Sequence, residues 1–217
     1  MMHARMASGE EFSSPVSKVV CVGRNYAEHA RELNNPIPTT PILFIKPNSS
    51  LTRLEEGVSL LPGENVHYEA ELAVLLGRRM KNADQAEARA AIVGLGIALD
   101  LTLREVQAKL KEKGLPWEVA KSFDGACPLS SFQSVSNPEL ENLEYRLLIN
   151  GELRQHGVTS QMLNSVARLL AYASSIFTLE AGDVVLTGTP SGVGQLQSGD
   201  QLAFDSSFGI SLNCEVR

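Results

Sequence analysis

The sequence predicts an α+β domain rich in antiparallel sheet. Three observations point there. Short β-type runs outnumber helical stretches, strand and helix do not alternate regularly, and YRLLINGELRQ (145–155) reads as a hairpin turning on Asn150-Gly151. The chain has 217 residues, 43% of them apolar and 20% charged, enough apolar material for one substantial core.

The elements follow in order. MMHARMASGEEFSSP lacks the apolar core of a secretory signal, so residues 1–16 are expected to form a flexible tail ahead of a single domain over 17–217. SKVVCVG (17–23) is a β-type run. RNYAEHARELNN reads as a helix, with Asn25 as its cap and Glu28 three residues on as in a capping box, ended by Asn34, Asn35 and Pro36. NNPIPTTP (34–41) is a loop and PILFIKP (41–47) a strand. VHYEAELAVLLG (66–77) alternates with period two: Val66, Tyr68, Ala70, Leu72, Val74 and Leu76 on one face, His67, Glu69, Glu71, Ala73 and Leu75 on the other.

ADQAEARAAI (83–92) looks helical and IVGLGIALD (92–100) is an apolar run ending on an acid. In LTLREVQAKLKEKG, Thr102 and Glu105 form a T-x-x-E capping box, Leu103, Val106 and Leu110 make a buried stripe, and Gly114 suits the C-terminal cap. SQMLNSVARLLAYASSI (160–176) is an amphipathic helix. GDVVLTGTPSGVG (182–194) is a strand running into a glycine-rich loop, and DQLAFDSSFGISLNCEVR supplies the last strands.

Charge narrows the function. Asp and Glu outnumber Lys and Arg by 25 to 19, and no dense basic run appears, so a nucleic-acid partner is not expected. No apolar run has the length of a membrane span, so no membrane partner is expected either. Cys21, Cys127 and Cys214 are far apart and odd in number, which fits neither a disulfide framework nor a zinc pattern. A cytoplasmic location follows as the expectation.

The carboxylates carry the chemistry. Glu69 and Glu71 stand at i and i+2, so in a strand they point the same way, roughly 7 Å apart. Two anions on one partly buried face repel unless they are protonated or neutralised, and a hard dication removes both penalties. The same stretch also fits a helix, in which the two diverge, or a strand with both glutamates in water. Asp100 closes the apolar run at its edge, where a turn residue and a site residue look alike. His29 and Glu32 lie one helical turn apart, which suits an oriented general base and equally an exposed ion pair. GTPSGVG lacks the ending of a phosphate-binding loop, and GLG (94–96) lacks the third glycine of a dinucleotide fingerprint.

GRNYAEHARE, ILFIKPNSSL, VHYEAELAVLLG, GIALDLTLREVQ, GLPWEVAKSFDGACP and LEAGDVVLTGTPSGVG together resemble, in order, the fumarylacetoacetate hydrolase family. The likeness is to its single-domain acylpyruvate hydrolases and their oxaloacetate-decarboxylase relatives, and runs from about Lys18 to the C-terminus. The resemblance implies a β-rich mixed roll, commonly homodimeric, and an Mg²⁺ or Mn²⁺ site on Glu69, Glu71 and Asp100. It implies a catalytic dyad of His29 and Glu32, a lysine near the metal at Lys121, and substrate contacts from Arg104, Gln107 and Thr189, with Arg24 in the same matching segment. The activity it implies is metal-dependent hydrolysis of a C–C bond in a small 2,4-dioxo acid, giving pyruvate and a carboxylic acid. Decarboxylation or isomerisation of oxaloacetate or of 2-oxo-hept-ene-dioates is the alternative, and a small 2-oxo acid is the partner in either case.

Overall fold

The computed structural model describes residues 1–217. Along the chain run β1 (His3–Arg5), β2 (Glu11–Pro15), β3 (Lys18–Gly23), α1 (Ala27–Glu32), β4 (Ile42–Pro47), β5 (Leu51–Arg53), β6 (Val66–Tyr68) and β7 (Ala70–Leu76). There follow α2 (Gln85–Ala90), β8 (Ile92–Leu99), β9 (Thr102–Leu103), α3 (Arg104–Glu112), α4 (Glu118–Lys121), β10 (Cys127–Leu129) and β11 (Gln133–Ser134). The last are β12 (Glu144–Ile149), β13 (Glu152–Val158), α5 (Val166–Ile176), β14 (Val184–Leu186), β15 (Gly194–Gln195), β16 (Gln201–Ser206) and β17 (Ser211–Glu215).

The central eight-stranded sheet runs β4-β3-β14-β7-β8-β10-β5, with β11 also on β8. Its β7–β8 ladder is antiparallel, while β14 lies parallel to β3 and β10 parallel to β5, so the sheet is mixed. A four-stranded sheet, β13-β12-β16-β17, and a three-stranded one, β15-β6-β9, complete the strand-rich α+β architecture. The period-two reading of VHYEAELAVLLG holds at the level of packing. Val66, Tyr68, Ala70, Leu72, Val74 and Leu76 all enter the larger apolar core, and Ala73 and Leu75 enter the smaller one behind the sheet. Because β7 is covered on both faces, Glu69 and Glu71 sit on a buried face, not a wet one.

The hairpin expected at 145–155 is present, with Asn150 at φ 53° and Gly151 at φ 82°, the left-handed pair that a type I′ turn requires. Four local expectations are corrected. Residues 1–16 are not a flexible tail: β1 and β2 pair antiparallel, Ala4 and Val16 are buried, and the Asn48 side chain binds the backbone of Met2 and Val16. This ribbon closes over the smaller core, which needs a cover that local polarity does not reveal. Asn25 does not cap α1; its amide donates to Thr187 O and Asn164 O, tying the helix entry to the glycine-rich loop. Thr102 does not cap α3 either, because it lies in β9 and its hydroxyl donates to Asp100 O. The final helix begins at Val166 with Ser165 as cap, several residues later than the amphipathic pattern suggests. No helix is long and apolar enough to cross a membrane.

Candidate metal centre and active site

The site forms where the chain passes between two sheets. Between β6 and β7 one residue is left out of the ladders, Glu69; between β8 and β9 it is Asp100 with Leu101. The two breaks face each other, since Ala70 pairs with Leu99, His67 with Thr102, and Asp100 N donates to Glu69 O at 2.8 Å. Glu71, two residues into β7, points to the same side. Ligand oxygens of Glu69, Glu71 and Asp100 lie within 4.8 Å of one another, and all three residues are buried.

Three buried or half-buried cations pair with two of the acids, Glu69 and Asp100. Lys121 Nζ donates to Glu69 Oε2 at 2.8 Å and to Asp100 Oδ2 at 2.7 Å. Arg104 pairs with Glu69 Oε1 and also donates to Gln107 Oε1 at 2.9 Å. Lys46 Nζ stands 2.8 Å from Asp100 Oδ1, but its hydrogens go to backbone carbonyls, those of Lys121, of Ala126 at 3.1 Å and of Leu101 at 3.5 Å. Asp100 Oδ1 is therefore paired by charge yet lacks a hydrogen-bond donor, and Arg104 Nε lacks an acceptor.

The charges are unequal in effect. Burial pushes the Glu69 carboxyl up, but Lys121 and then Arg104 outweigh it and hold it below the usual carboxylate range. For Glu71 burial is reinforced by Asp100 and Glu69, so its pKa rises well above that range despite the Gly188 N–H at 2.6 Å from Oε2. Burial pulls the Lys121 ammonium down, but Asp100 and Glu69 prevail and hold it above the ordinary lysine value. A buried acid pushed towards its neutral form by neighbouring carboxylates is an arrangement that a dication relieves. An oxygen-only ligand set suits a hard ion such as Mg²⁺ or Mn²⁺, so the residues present fit the group.

The other expected residues gather at the same place. Arg24, His29, Arg104, Gln107, Lys121 and Thr189 line one pocket with the three acids. His29 Nδ1 lies 3.4 Å from Glu32 Oε2, while Glu32 itself accepts from Gly192 N at 3.0 and 3.2 Å, pinning α1 to the glycine-rich loop. Burial lowers the pKa of His29 below the ordinary histidine value, with Glu69 and Glu32 opposing, so the site favours the neutral imidazole. Thr189 is at the site, but its hydroxyl donates to Ala70 O at 2.8 Å and accepts from Gln155 Nε2 at 2.8 Å. In this arrangement the one hydroxyl hydrogen of Thr189 is committed to Ala70.

Two residues escape the sequence reading. Gln155, 1% exposed, accepts from Ala70 N at 2.8 Å and so locks the start of β7 to the Thr189 turn. Lys46, 0% exposed, ties Asp100 to the backbone that carries Lys121. Its signal was present in ILFIKP: at period two Lys46 falls in phase with buried Phe44, an unusual place for a lysine unless it has an acid to meet.

Comparison with known proteins identifies the family. The family described as "Fumarylacetoacetate (FAA) hydrolase C-terminal" matches residues 18–216. The chain is 52% identical over 192 residues to oxaloacetate tautomerase YcgM of Escherichia coli (strain K12), covering 87% of each chain. It is 45% identical over 187 residues to a mitochondrial oxaloacetate tautomerase of Bos taurus, covering 85% of this chain and 84% of that one. The crystal structure of fumarylpyruvate hydrolase from Pseudomonas aeruginosa, in complex with Mn²⁺ and pyruvate, superposes with a TM-score of 0.90 at 32% identity, covering 98% of this chain and 94% of that one. The chain belongs to the fumarylacetoacetate hydrolase family.

Proposed function

We propose that this chain enolises a small 2-oxo acid at a divalent ion held by Glu69, Glu71 and Asp100, and that its reaction is keto–enol tautomerisation of oxaloacetate. The observation that carries this reading is the charge balance of the site. Lys46, Lys121 and Arg104 pair with Glu69 and Asp100 while Glu71 pairs with none, so it is only with Glu71 ionised on a bound ion that three carboxylates balance three cations. A dication therefore leaves two positive charges in a buried place, and a dianionic substrate neutralises them. The two oxaloacetate tautomerases similar to this chain are in keeping with it.

When bound, the ion supplies a Lewis acid for the substrate's 2-oxo group. The remaining work falls to the chain. His29, favoured in its neutral form by burial and with Nδ1 directed at Glu32, is the base that takes a proton from C3 of the keto form; a proton delivered to the 2-oxo oxygen completes the enol, and the reverse transfers ketonise it. Lys121, fully protonated and fixed by two carboxylates, offers its positive charge to the oxygen that gains negative charge on enolisation. Arg104 and Gln107 orient the substrate's carboxylate end, and Phe44 and Trp117, ring centroids 6.0 Å apart, wall the pocket.

A second reading is hydrolysis of an acylpyruvate, favoured by the His29–Glu32 pair, which is equally able to activate a water. The test separates them. Freshly dissolved enol-oxaloacetate is followed by ultraviolet absorbance as it ketonises, with Mg²⁺, with Mg²⁺ and protein, and with protein plus excess chelator, and acetylpyruvate is run alongside. The proposal expects protein-dependent ketonisation above the free-ion rate that chelator abolishes. Cleavage of acetylpyruvate with no effect on oxaloacetate would transfer the assignment to the second reading.

A further inference from the structure

Along α3, Arg104, Gln107 and Lys111 occupy positions i, i+3 and i+7, one face of the helix, and all three line the pocket of the acidic triad. The first two work at the ion end, where Arg104 holds Glu69 and Gln107. Lys111 lies further along the same face, roughly 10 Å of helical rise beyond Arg104. Helical side chains lean towards the N-terminus, so its stem brings the ammonium back over the pocket mouth.

We propose that Lys111 receives the distal carboxylate of a four-carbon 2-oxo-dicarboxylate and thereby determines the substrate class of the site, an inference that rests on the enolisation reading above. Lys111 has no carboxylate partner. Its one recorded hydrogen bond goes to a neutral acceptor, Asn35 Oδ1 at 2.7 Å, across from the segment that follows α1. Arg24, on the same pocket wall, is likewise without an ion pair, and its backbone is held at φ 60°, an unusual setting for a residue with a side chain. Burial and then the fields of Arg24 and Arg104 disfavour the charged form of Lys111. The mouth therefore gathers cations without an anion to match, and the buried Arg104 Nε is left without an acceptor. A carboxylate arriving there replaces a neutral acceptor with a charged one and relieves the repulsion among the cations, which a substrate ending in a methyl group does not do.

The test compares Lys111→Met and Lys111→Arg with the wild type, each loaded with Mn²⁺. Turnover of oxaloacetate is measured beside C3 deuteration of 2-oxobutanoate, which has the same length without the distal carboxylate. Titration calorimetry with malate and with 2-hydroxybutanoate reads the same discrimination without any reaction. The expectation is that the malate preference and the oxaloacetate-to-oxobutanoate ratio of kcat/KM both fall by roughly ten- to a hundredfold in Lys111→Met, chiefly through KM, as for loss of a hydrogen bond to a charged group. Lys111→Arg should restore most of each. An equal loss for both substrates and both ligands, or none, overturns the proposal. If malate preference is present in the wild type and lost in Lys111→Met while no protein turns over oxaloacetate, the carboxylate assignment stands and the enolisation reading fails.

Discussion

Replacing Lys46 with methionine tests how the centre is held together. Methionine keeps an apolar stem of similar volume, so packing behind β4 is preserved while the charge is removed. The lost contacts are an ion pair of 2.8 Å to Asp100 Oδ1 and hydrogen bonds to the carbonyls of Lys121, Ala126 and Leu101, in a place that is 0% exposed. Removing one partner of a buried ion pair costs roughly 3–5 kcal/mol because the other charge stays buried without it. Each carbonyl left without a donor adds about 1–3 kcal/mol, but the variant is also spared the desolvation of an ammonium, and Asp100 keeps Lys121 at 2.7 Å. These offsets leave about 3–5 kcal/mol as the expected loss. Urea unfolding of the metal-free protein measures it, as a lower midpoint with an unchanged slope. A loss below about 1 kcal/mol would refute the reasoning, because Asp100 would then be balanced without Lys46.

Other outcomes follow from the same geometry. Gly188→Ala should lower stability by more than about 1 kcal/mol, since Gly188 has φ 96° and a Cβ there would lie 2.7 Å from Asn25 Cβ; it should also weaken Mn²⁺ binding by shifting the N–H that holds Glu71, which titration of the folded variant with Mn²⁺ measures. His29→Ala should reduce oxaloacetate ketonisation at least a hundredfold while leaving Mn²⁺ affinity within a few-fold, whereas Glu32→Gln, which keeps a side chain of the same shape, should lose less. Mn²⁺ at a hundred times its dissociation constant should stabilise the fold by about 2.7 kcal/mol, read as a rise in Tm. Glu71→Gln should lose most of that rise, and an undiminished rise would place the ion elsewhere.

What was legible in the sequence follows a physical divide. Patterns fixed by a few neighbouring residues were readable: the alternation of VHYEAELAVLLG, the Asn150-Gly151 turn, and the i, i+2 placing of Glu69 and Glu71. That Asp100 stands opposite Glu69 was not readable, because it depends on the register of β7 on β8 and on both chains leaving the sheet together. The same holds for the N-terminal ribbon, whose short polar strands are stabilised by a core surface built from distant residues. Asn25 and Thr102 matched helix-capping patterns, yet each found a long-range or strand-end acceptor that the pattern could not anticipate. Arg104 and Gln107 were assigned to the site by resemblance alone, and spacing on α3 adds Lys111 only once the pocket is known.

The central claim is that Glu69, Glu71 and Asp100 hold a divalent ion on which a 2-oxo acid is presented to His29 and Lys121. Crystals grown with Mn²⁺ and oxalate, with diffraction recorded at the manganese absorption edge, test it most directly. One strong anomalous peak is expected, bonded to oxygens of all three carboxylates, with oxalate in the open positions facing His29. A peak elsewhere, or none while Lys121 still bridges Glu69 and Asp100, would contradict it.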